Sequence, residues 1–311
     1  DIDSGVPGRA CLNHPDWLLG RWQKRYGSNR LEEMCRSNNL PAGLCLRINT
    51  LKITVPDFLS LLAERDIDYN TGRYVSEAVW ISGEVGKVEN LPGYSKGFFA
   101  VQDETAQLLC GLLGPLEKGA YLDACAGLGG KTAAIGQRAT EGSRIVAVEP
   151  TGQRLDLLTE NLARLGVNGV EVFQGTLQEY AKQTAEKFQA VLVDAPCSGL
   201  GVTGRHPDIR WVRKFADLKR YQKNQLELLT VAARLVAPAG ILVYATCSTE
   251  PEENDQVVEQ FLEINPDFRL ENCQPILSEN AHSLIDEGGF LRTIPGDTVS
   301  DGFFAARLVR K

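Results

Sequence analysis

Between residues 120 and 247 short apolar runs alternate with stretches whose apolar positions recur at helical spacing. AYLDAC, SRIVAVEP, GVEVFQG, QAVLVDAP and GILVYATC have the length and β-branched content of buried strands. Residues 130 to 139, 151 to 165, 177 to 187, 217 to 236 and 251 to 264 carry the helical period. Strand and helix in alternation predict an α/β fold, a parallel sheet with helices on both faces. Two further runs near the C-terminal end, GGFLRTIP and DGFFAARLVRK, predict an antiparallel hairpin at the sheet edge. Upstream, LCLRIN, VPDFLSLLAERD and EAVWISG read as strand, helix and strand, a small α+β unit closed by LPGYSKG. Before that, residues 14 to 35 place Trp17, Leu18 and Trp22 at helical spacing with Arg21, Lys24 and Arg25 between them. One or two short amphipathic helices are expected there, facing either the protein's own core or RNA.

Composition narrows the class. The apolar share of 43% is that of a globular protein, and no apolar run approaches the roughly 20 residues that span a bilayer. DIDSGVPGRA has no signal-peptide layout, so a cytoplasmic protein that needs no membrane is expected. Eight cysteines contain no C-x-x-C pair, which argues against a disulfide framework and against a metal site and favours a reducing compartment. A net charge of −7 disfavours a polyanion partner in general, but screening confines each charge to about 8 Å and leaves room for a local basic patch. The chain opens on Asp1 and its single methionine is Met34, which reads as a fragment of a longer protein. A monomer is the default expectation.

The first of the five runs leads into DACAGLGGKT, where Gly127, Gly129 and Gly130 permit a tight strand-to-helix turn and close approach of backbone to a ligand. A dinucleotide fingerprint would place a third glycine where Thr132 stands, so the turn alone is compatible with a purely structural role. Glu149 ends the second run, 22 residues beyond Gly127, with Arg154 following. A carboxylate there suits a ribose diol, whether of NAD or of S-adenosylmethionine, or caps the next helix.

The fourth and fifth runs end in Asp194-Ala195-Pro196-Cys197 and Thr246-Cys247-Ser248. Ligands of open α/β sheets lie at the carboxyl ends of strands, and neighbouring strands are about 4.8 Å apart. If these two are neighbours, both thiols reach one small substrate group. A thiolate that adds to C6 of cytosine makes C5 nucleophilic enough to attack a methyl donor, and a base must then remove the C5 proton before the thiol leaves. Asp194 is suited to hold the ring nitrogen and amino group. Just beyond Cys197, residues 205 to 223 carry Arg205, Arg210, Arg213, Lys214, Lys219, Arg220 and Lys223 against two acids. A basic loop beside the reactive thiol is where RNA would have to lie, with His206 either touching phosphate or capping the loop.

DACAGLGGKT, VDAPCSGLGVTGRHPDIRW, YATCSTEPEEN and DGFFAARL, together with LNHPDWLL, LRIN and VQDETAQL upstream, resemble the Sun/RsmB-type RNA cytosine-5 methyltransferases over nearly the whole chain. The resemblance implies a Rossmann-like methyltransferase sheet of seven mostly parallel strands over residues 96 to 311, a smaller α+β RNA-binding unit over 41 to 95 and a helical linker over 1 to 40. It implies S-adenosylmethionine as cofactor, ribosomal RNA as partner, Cys247 as the nucleophile and Cys197 as the thiol of adduct release. It also implies that the turn Cys125, Ala126, Gly127, Leu128, Gly129, Gly130 and Lys131 binds the cofactor, Glu149 the ribose and Asp194 both cofactor and base. Lys131 is expected to face the active site. An upstream domain resembling the antitermination factor NusB, often carried by bacterial relatives, is expected to be missing. Three departures stand out: Gly127 and Leu128 within the turn, Glu149 for the usual aspartate, and Thr176 for the aspartate that reads adenine, which predicts looser cofactor binding. These keep open an RNA-binding assembly factor with a degenerate methyltransferase fold. An NAD-dependent dehydrogenase would leave both cysteines unexplained.

Overall fold

The computed structural model describes residues 12–83, 86–297 and 300–311. Two helices, α1 (Asp16–Tyr26) and α2 (Ser28–Asn39), come first. Their apolar faces, with Leu18, Trp22 and Met34, pack on Leu200 and Leu218 of the large domain. Arg21 pairs with Glu250 and Glu252, and the Trp22 indole donates to Glu250. These helices therefore face the protein's own core, and the expected RNA-facing side is largely spent on internal contacts.

The small unit contains β1 (Leu44–Ile48), α3 (Val55–Ala63), β2 (Tyr69–Thr71), β3 (Ala78–Ile81) and β4 (Phe99–Val101). They form an antiparallel sheet of order β2-β3-β1-β4. Thr54 caps α3 by accepting from the Asp57 amide, and Phe58 and Leu62 then bury against Leu46, Ile48, Val79 and Phe99. β4 lies past residue 95 in sequence yet pairs with β1. The two units are thus joined through one strand and α4 (Glu104–Gly111), which starts three residues later.

The large sheet has the order β10-β12-β9-β8-β5-β6-β7, with a short strand β11 paired to β12. Its parallel strands are β5 (Ala120–Asp123), β6 (Arg144–Glu149), β7 (Val170–Gln174), β8 (Phe188–Asp194) and β9 (Val236–Thr246). Between them run α5 (Gly130–Arg138), α6 (Gly152–Leu165), α7 (Leu177–Gln183), the one-turn α8 (Ile209–Val212) and α9 (Phe215–Ala233), followed by α10 (Asp255–Ile264). Alternation along β8 explains the layering. Val191 and Val193 pack with Tyr180, Leu229 and Phe261 on one face, while Ala190 and Leu192 meet Leu109 and Ile135 on the other.

The antiparallel pairing expected near the C-terminal end forms, between the two tail strands, but not at the sheet edge. β11 is only Leu291–Arg292, and β12 (Phe304–Arg310) lies antiparallel between β9 and β10 (Phe268–Glu271). The physical reason is in FFAARLV itself. Phe304, Ala305, Ala306 and Leu308 are fully buried, and a strand apolar on both faces belongs in a sheet interior. Among the described residues no helix is long and apolar enough to cross a membrane.

Candidate active site

β5 ends in Asp123, whose carboxyl burial pushes up to about 6, with the Thr132 hydroxyl and Lys131 opposing the rise. Thr132 Oγ1 donates to Asp123 Oδ2 at 2.7 Å, so the residue standing where a dinucleotide fingerprint has glycine pins the first turn of α5 to the strand. Gly127 and Gly129 take the left-handed φ values of 57° and 81°, which L side chains adopt at a cost. A Cβ on Gly129 would lie 3.1 Å from Leu158, whereas one on Gly127 or Gly130 would point into open space. The turn Cys125–Lys131 is therefore a backbone turn at a helix N-terminus that leaves open space at Gly127 and Gly130. Burial, then the charges of Asp123, Asp194 and Glu149, hold the Cys125 thiol well above its usual value and keep it neutral.

Glu149 closes the cradle from the end of β6. Its Oε2 accepts from the Gly127 amide at 3.0 Å and its Oε1 from the Thr151 amide at 2.9 Å. The carboxylate is 3% exposed, so it is not the exposed helix cap that the sequence also allowed. Each oxygen retains a second lone pair for a ligand hydroxyl. Arg154, on the first turn of α6, and Leu128 are exposed at the rim.

β8 and β9 are neighbours in register, with Asp194 beside Ala245. That adjacency brings the two strand-end thiols together, Cys197 Sγ and Cys247 Sγ being 3.1 Å apart. The hydrogen bond to Cys247, and then burial, push the Cys197 thiol well above its ordinary value. Lys131 Nζ reaches Asp194 Oδ2 at 2.6 Å. Burial pulls the ammonium down, but the charge of Asp194 and its hydrogen bond outweigh it, and Lys131 lies above the usual lysine value. Lysine and aspartate thus stand as an ion pair between the glycine turn and the thiols. All seven cysteines among the described residues are free, and among those residues no cluster of His, Cys, Asp or Glu could hold a metal ion; Cys11 lies outside them.

A buried acid that the sequence reading passed over stands behind the thiols. Glu253 is fully buried and accepts from the Ser198 amide at 2.8 Å, from Gln225 Nε2 at 3.0 Å and from the Ser198 and Ser248 hydroxyls. The one available signal was that each cysteine of the pair is followed by serine, Cys197-Ser198 and Cys247-Ser248.

The basic segment is corrected in part. Arg210 is 1% exposed and donates to Asn13 O at 2.9 Å, Asn39 Oδ1 at 2.6 Å and Asn38 O at 2.8 Å. It is an internal strut and has no face for RNA. Arg205 is taken by Asp103 and Asp301, and Arg213 Nε donates to Ser198 O at 2.9 Å while its guanidinium lies over Tyr221. Exposed cations of the segment are Lys214, Lys219, Arg220 and Lys223, beside exposed His206, Trp211 and Phe215.

Thr176 is exposed and serves as N-cap of α7. Its hydroxyl accepts from the Glu179 amide at 3.2 Å and contacts Glu179 Oε2 at 2.9 Å, while the Glu179 carboxylate takes the Thr176 amide. The capping box occupies the group expected to read adenine. Aspartate is an equally good N-cap. Thr176→Asp is expected to keep the melting temperature and to tighten S-adenosylmethionine binding by about threefold to tenfold, the worth of one better hydrogen bond. Titration calorimetry that found no tightening would remove Thr176 from the cofactor site.

A parallel sheet that joins a glycine turn to a carboxylate at the end of the next strand is a Rossmann-like architecture for a nucleoside-bearing cofactor. The family model described as 16S rRNA methyltransferase RsmB/F matches residues 110–309, and one described as an RsmF/B-like ferredoxin-like domain matches residues 14–87. The chain belongs to the 16S rRNA methyltransferase RsmB/F family. It is 33% identical over 295 residues to a probable ribosomal RNA small subunit methyltransferase B of Synechocystis, covering 94% of this chain and 66% of that protein. It is 36% identical over 301 residues to ribosomal RNA small subunit methyltransferase B of an Enterobacter species, covering 96% and 67%. The chain thus spans about two thirds of the length of these relatives. A methyltransferase homolog protein from Pyrococcus horikoshii superimposes with a TM-score of 0.82 at 27% identity, covering 97% of both chains. NSun6 of the same organism, solved with SFG, shares the fold at a TM-score of 0.84 and 20% identity, covering 95% of this chain and 98% of its own.

The cofactor of this family is S-adenosylmethionine. The open positions at Gly127 and Gly130 and the buried acceptor on Glu149 fit its nucleoside and amino-acid ends.

Proposed function

We propose that this protein methylates C5 of a cytosine in RNA, with small-subunit ribosomal RNA as substrate, through a covalent bond between Cys247 and C6. The observation that carries the reading is the pair of thiols 3.1 Å apart on adjacent strands, beside the Lys131–Asp194 ion pair. S-adenosylmethionine, held by residues 125 to 131 and Glu149, supplies an electrophilic methyl group.

In the resting site Cys197 is the thiol held protonated, by its hydrogen bond with Cys247 and by burial. The Cys247 thiolate adds to C6, and the electron pair displaced from the C5–C6 double bond makes C5 the nucleophile. Asp194 holds the ring's nitrogen and amino group, and the Lys131 ammonium balances the charge that gathers on the ring. Once Cys247 is a thioether it no longer shares a proton with Cys197. Cys197 passes its own proton to solvent and, as the thiolate, takes the C5 proton; the C6–S bond breaks with its electron pair returning to sulfur, and the aromatic ring is restored. A cytosine must leave its stack to reach two thiols at the floor of a sheet, so the substrate nucleotide is in a loop, a bulge or flipped out. Phosphate contacts fall to Lys214, Lys219, Arg220 and Lys223, with His206 at the rim. This reading places the protein in the cytoplasm with its ribosomal RNA. A protein that only bound RNA would have no use for paired thiols beside an open cofactor cradle.

The test is to incubate the protein with unmodified small-subunit RNA and methyl-labelled S-adenosylmethionine, digest to nucleosides and separate them by chromatography with mass detection. Label in 5-methylcytidine is expected. Label in any other nucleoside, or none while the protein binds the cofactor, overturns the reading.

A further inference from the structure

We infer that Glu253 is a positioning residue for the reaction proposed above: one buried carboxylate that holds the Cys197 loop and the Cys247 loop against each other and so fixes the approach of their thiols. The geometry is two-sided. From the β8 loop, Ser198 gives both its amide and its hydroxyl to Glu253. From the β9 loop, the Ser248 hydroxyl donates to the same Oε2 atom, and the two serine hydroxyls lie 3.2 Å apart. Gln225, reaching in from α9, donates both to Glu253 Oε1 and to Pro196 O at 3.0 Å, which fixes the residue before Cys197 as well. Glu253 is itself tied down. Tyr244 OH donates to its carbonyl at 2.6 Å, and the next residue, Asn254, meets Thr246 Oγ1 at 2.6 Å and Ser248 O at 2.9 Å.

Neutral donors alone satisfy this carboxylate. A buried carboxylate with no cation on it is an expensive way to join two loops, since a neutral side chain avoids the desolvation cost. What the charge adds is its effect on the neighbouring thiol. The titratable groups that face Cys197 are Cys247, Glu253, Asp194 and the buried Tyr244 phenol; the first three hold its proton on, and Asp194 is itself paired to Lys131. Glu253 thereby helps to keep Cys197 protonated beside Cys247.

The inference rests on the cytosine-5 reading for its catalytic meaning, but its test does not need RNA. Parent protein and Glu253→Gln are alkylated with iodoacetamide across a pH series, and modification of Cys197 and Cys247 is followed separately by peptide mass spectrometry. Melting and S-adenosylmethionine binding report folding. Expected is a folded variant with cofactor affinity within about twofold of the parent and a Cys197 alkylation rate at mildly alkaline pH raised by at least about threefold, because a nearby negative charge has gone. Turnover on RNA should fall by about tenfold or more with KM for RNA little changed, the pattern of a lost transition-state arrangement. A folded variant whose Cys197 profile matches the parent's overturns the inference. If Glu253→Gln does not fold, Ser248→Ala is read instead. It leaves the carboxylate on Ser198 and Gln225 and cuts its tie to the Cys247 loop, along with the hydroxyl's contacts to the Glu250 amide and Ser198, so an unchanged turnover and an unchanged Cys247 profile overturn the inference. A shifted Cys197 profile in a protein that methylates no cytosine would support the clamp and sink the function proposed above.

Discussion

Cys247→Ala is expected to stop methyl transfer and to form no protein–RNA adduct, whereas Cys197→Ala is expected to accumulate an adduct that survives denaturing gels. The two outcomes differ because the side chains act on different steps. Without the Cys247 sulfur no bond forms at C6, C5 stays a poor nucleophile, and turnover should fall by at least roughly 10⁴-fold, the scale seen when a covalent nucleophile is removed. Without Cys197, addition and methylation still proceed, since Cys247, Asp194 and the cofactor cradle remain. Loss of the C5 proton and expulsion of the sulfur then slow, and the methylated adduct builds up. Both thiols are half-buried and neither fills a large core volume, so alanine at either position should leave cofactor binding intact. Equal behaviour of the two variants and the parent would make the thiols packing residues and return the protein to the class of RNA-binding assembly factors.

Arg210→Ala is expected to lower unfolding free energy by about 2–4 kcal/mol, the range for losing hydrogen bonds from a buried charged donor and leaving a cavity. The guanidinium sits between α2, the segment before α1 and the loop that follows Cys197, satisfying carbonyls from Asn13 and Asn38 and the Asn39 side chain. Removing it takes the donor from the carbonyl of buried Asn38 and opens a cavity besides. Lys219→Ala and Lys223→Ala, on the exposed side of α9, should shift stability by no more than about 0.5 kcal/mol and instead reduce the salt dependence of RNA binding. Urea denaturation and RNA titration at several salt concentrations separate the two groups. A stable Arg210→Ala protein with weakened RNA binding would restore the phosphate-binding role that burial denies it.

The contrast shows where sequence was informative. Cys197, Cys247, Glu149 and the glycine turn could be placed because each stands at the end of an apolar run, and the run fixes the strand end. That the two cysteine strands are neighbours was conditional in the sequence, since strand order depends on pairings between distant residues. The arginines misled for a related reason. Arg210 looks like its lysine neighbours in composition, and only contacts with residues about 170 positions away reveal that it is interior. Two signals were present but unread: Thr176 followed by Glu179 is the spacing of a capping box, and the stretch FFAARLV, apolar on both faces apart from Arg307, is that of an interior strand. Glu253 was hidden among the acids of TEPEEN, where its contacts with Ser198, Ser248 and Gln225 distinguish it.

The place of β12 ties chemistry to the last stage of folding. Synthesis delivers β9, the strand that carries Cys247 at its end, more than fifty residues before Phe304–Arg310 is made. Until β12 inserts, Ile241–Thr246 is an apolar edge with unpaired amides and carbonyls on one side, the kind of ribbon that another chain can join. β12 must also arrive between two strands already laid down, a long-range closure of the sort that slows folding. The strand with the nucleophile is thus the last of the parallel set to be sealed, and the protein passes through its most adhesive state just before it becomes able to react.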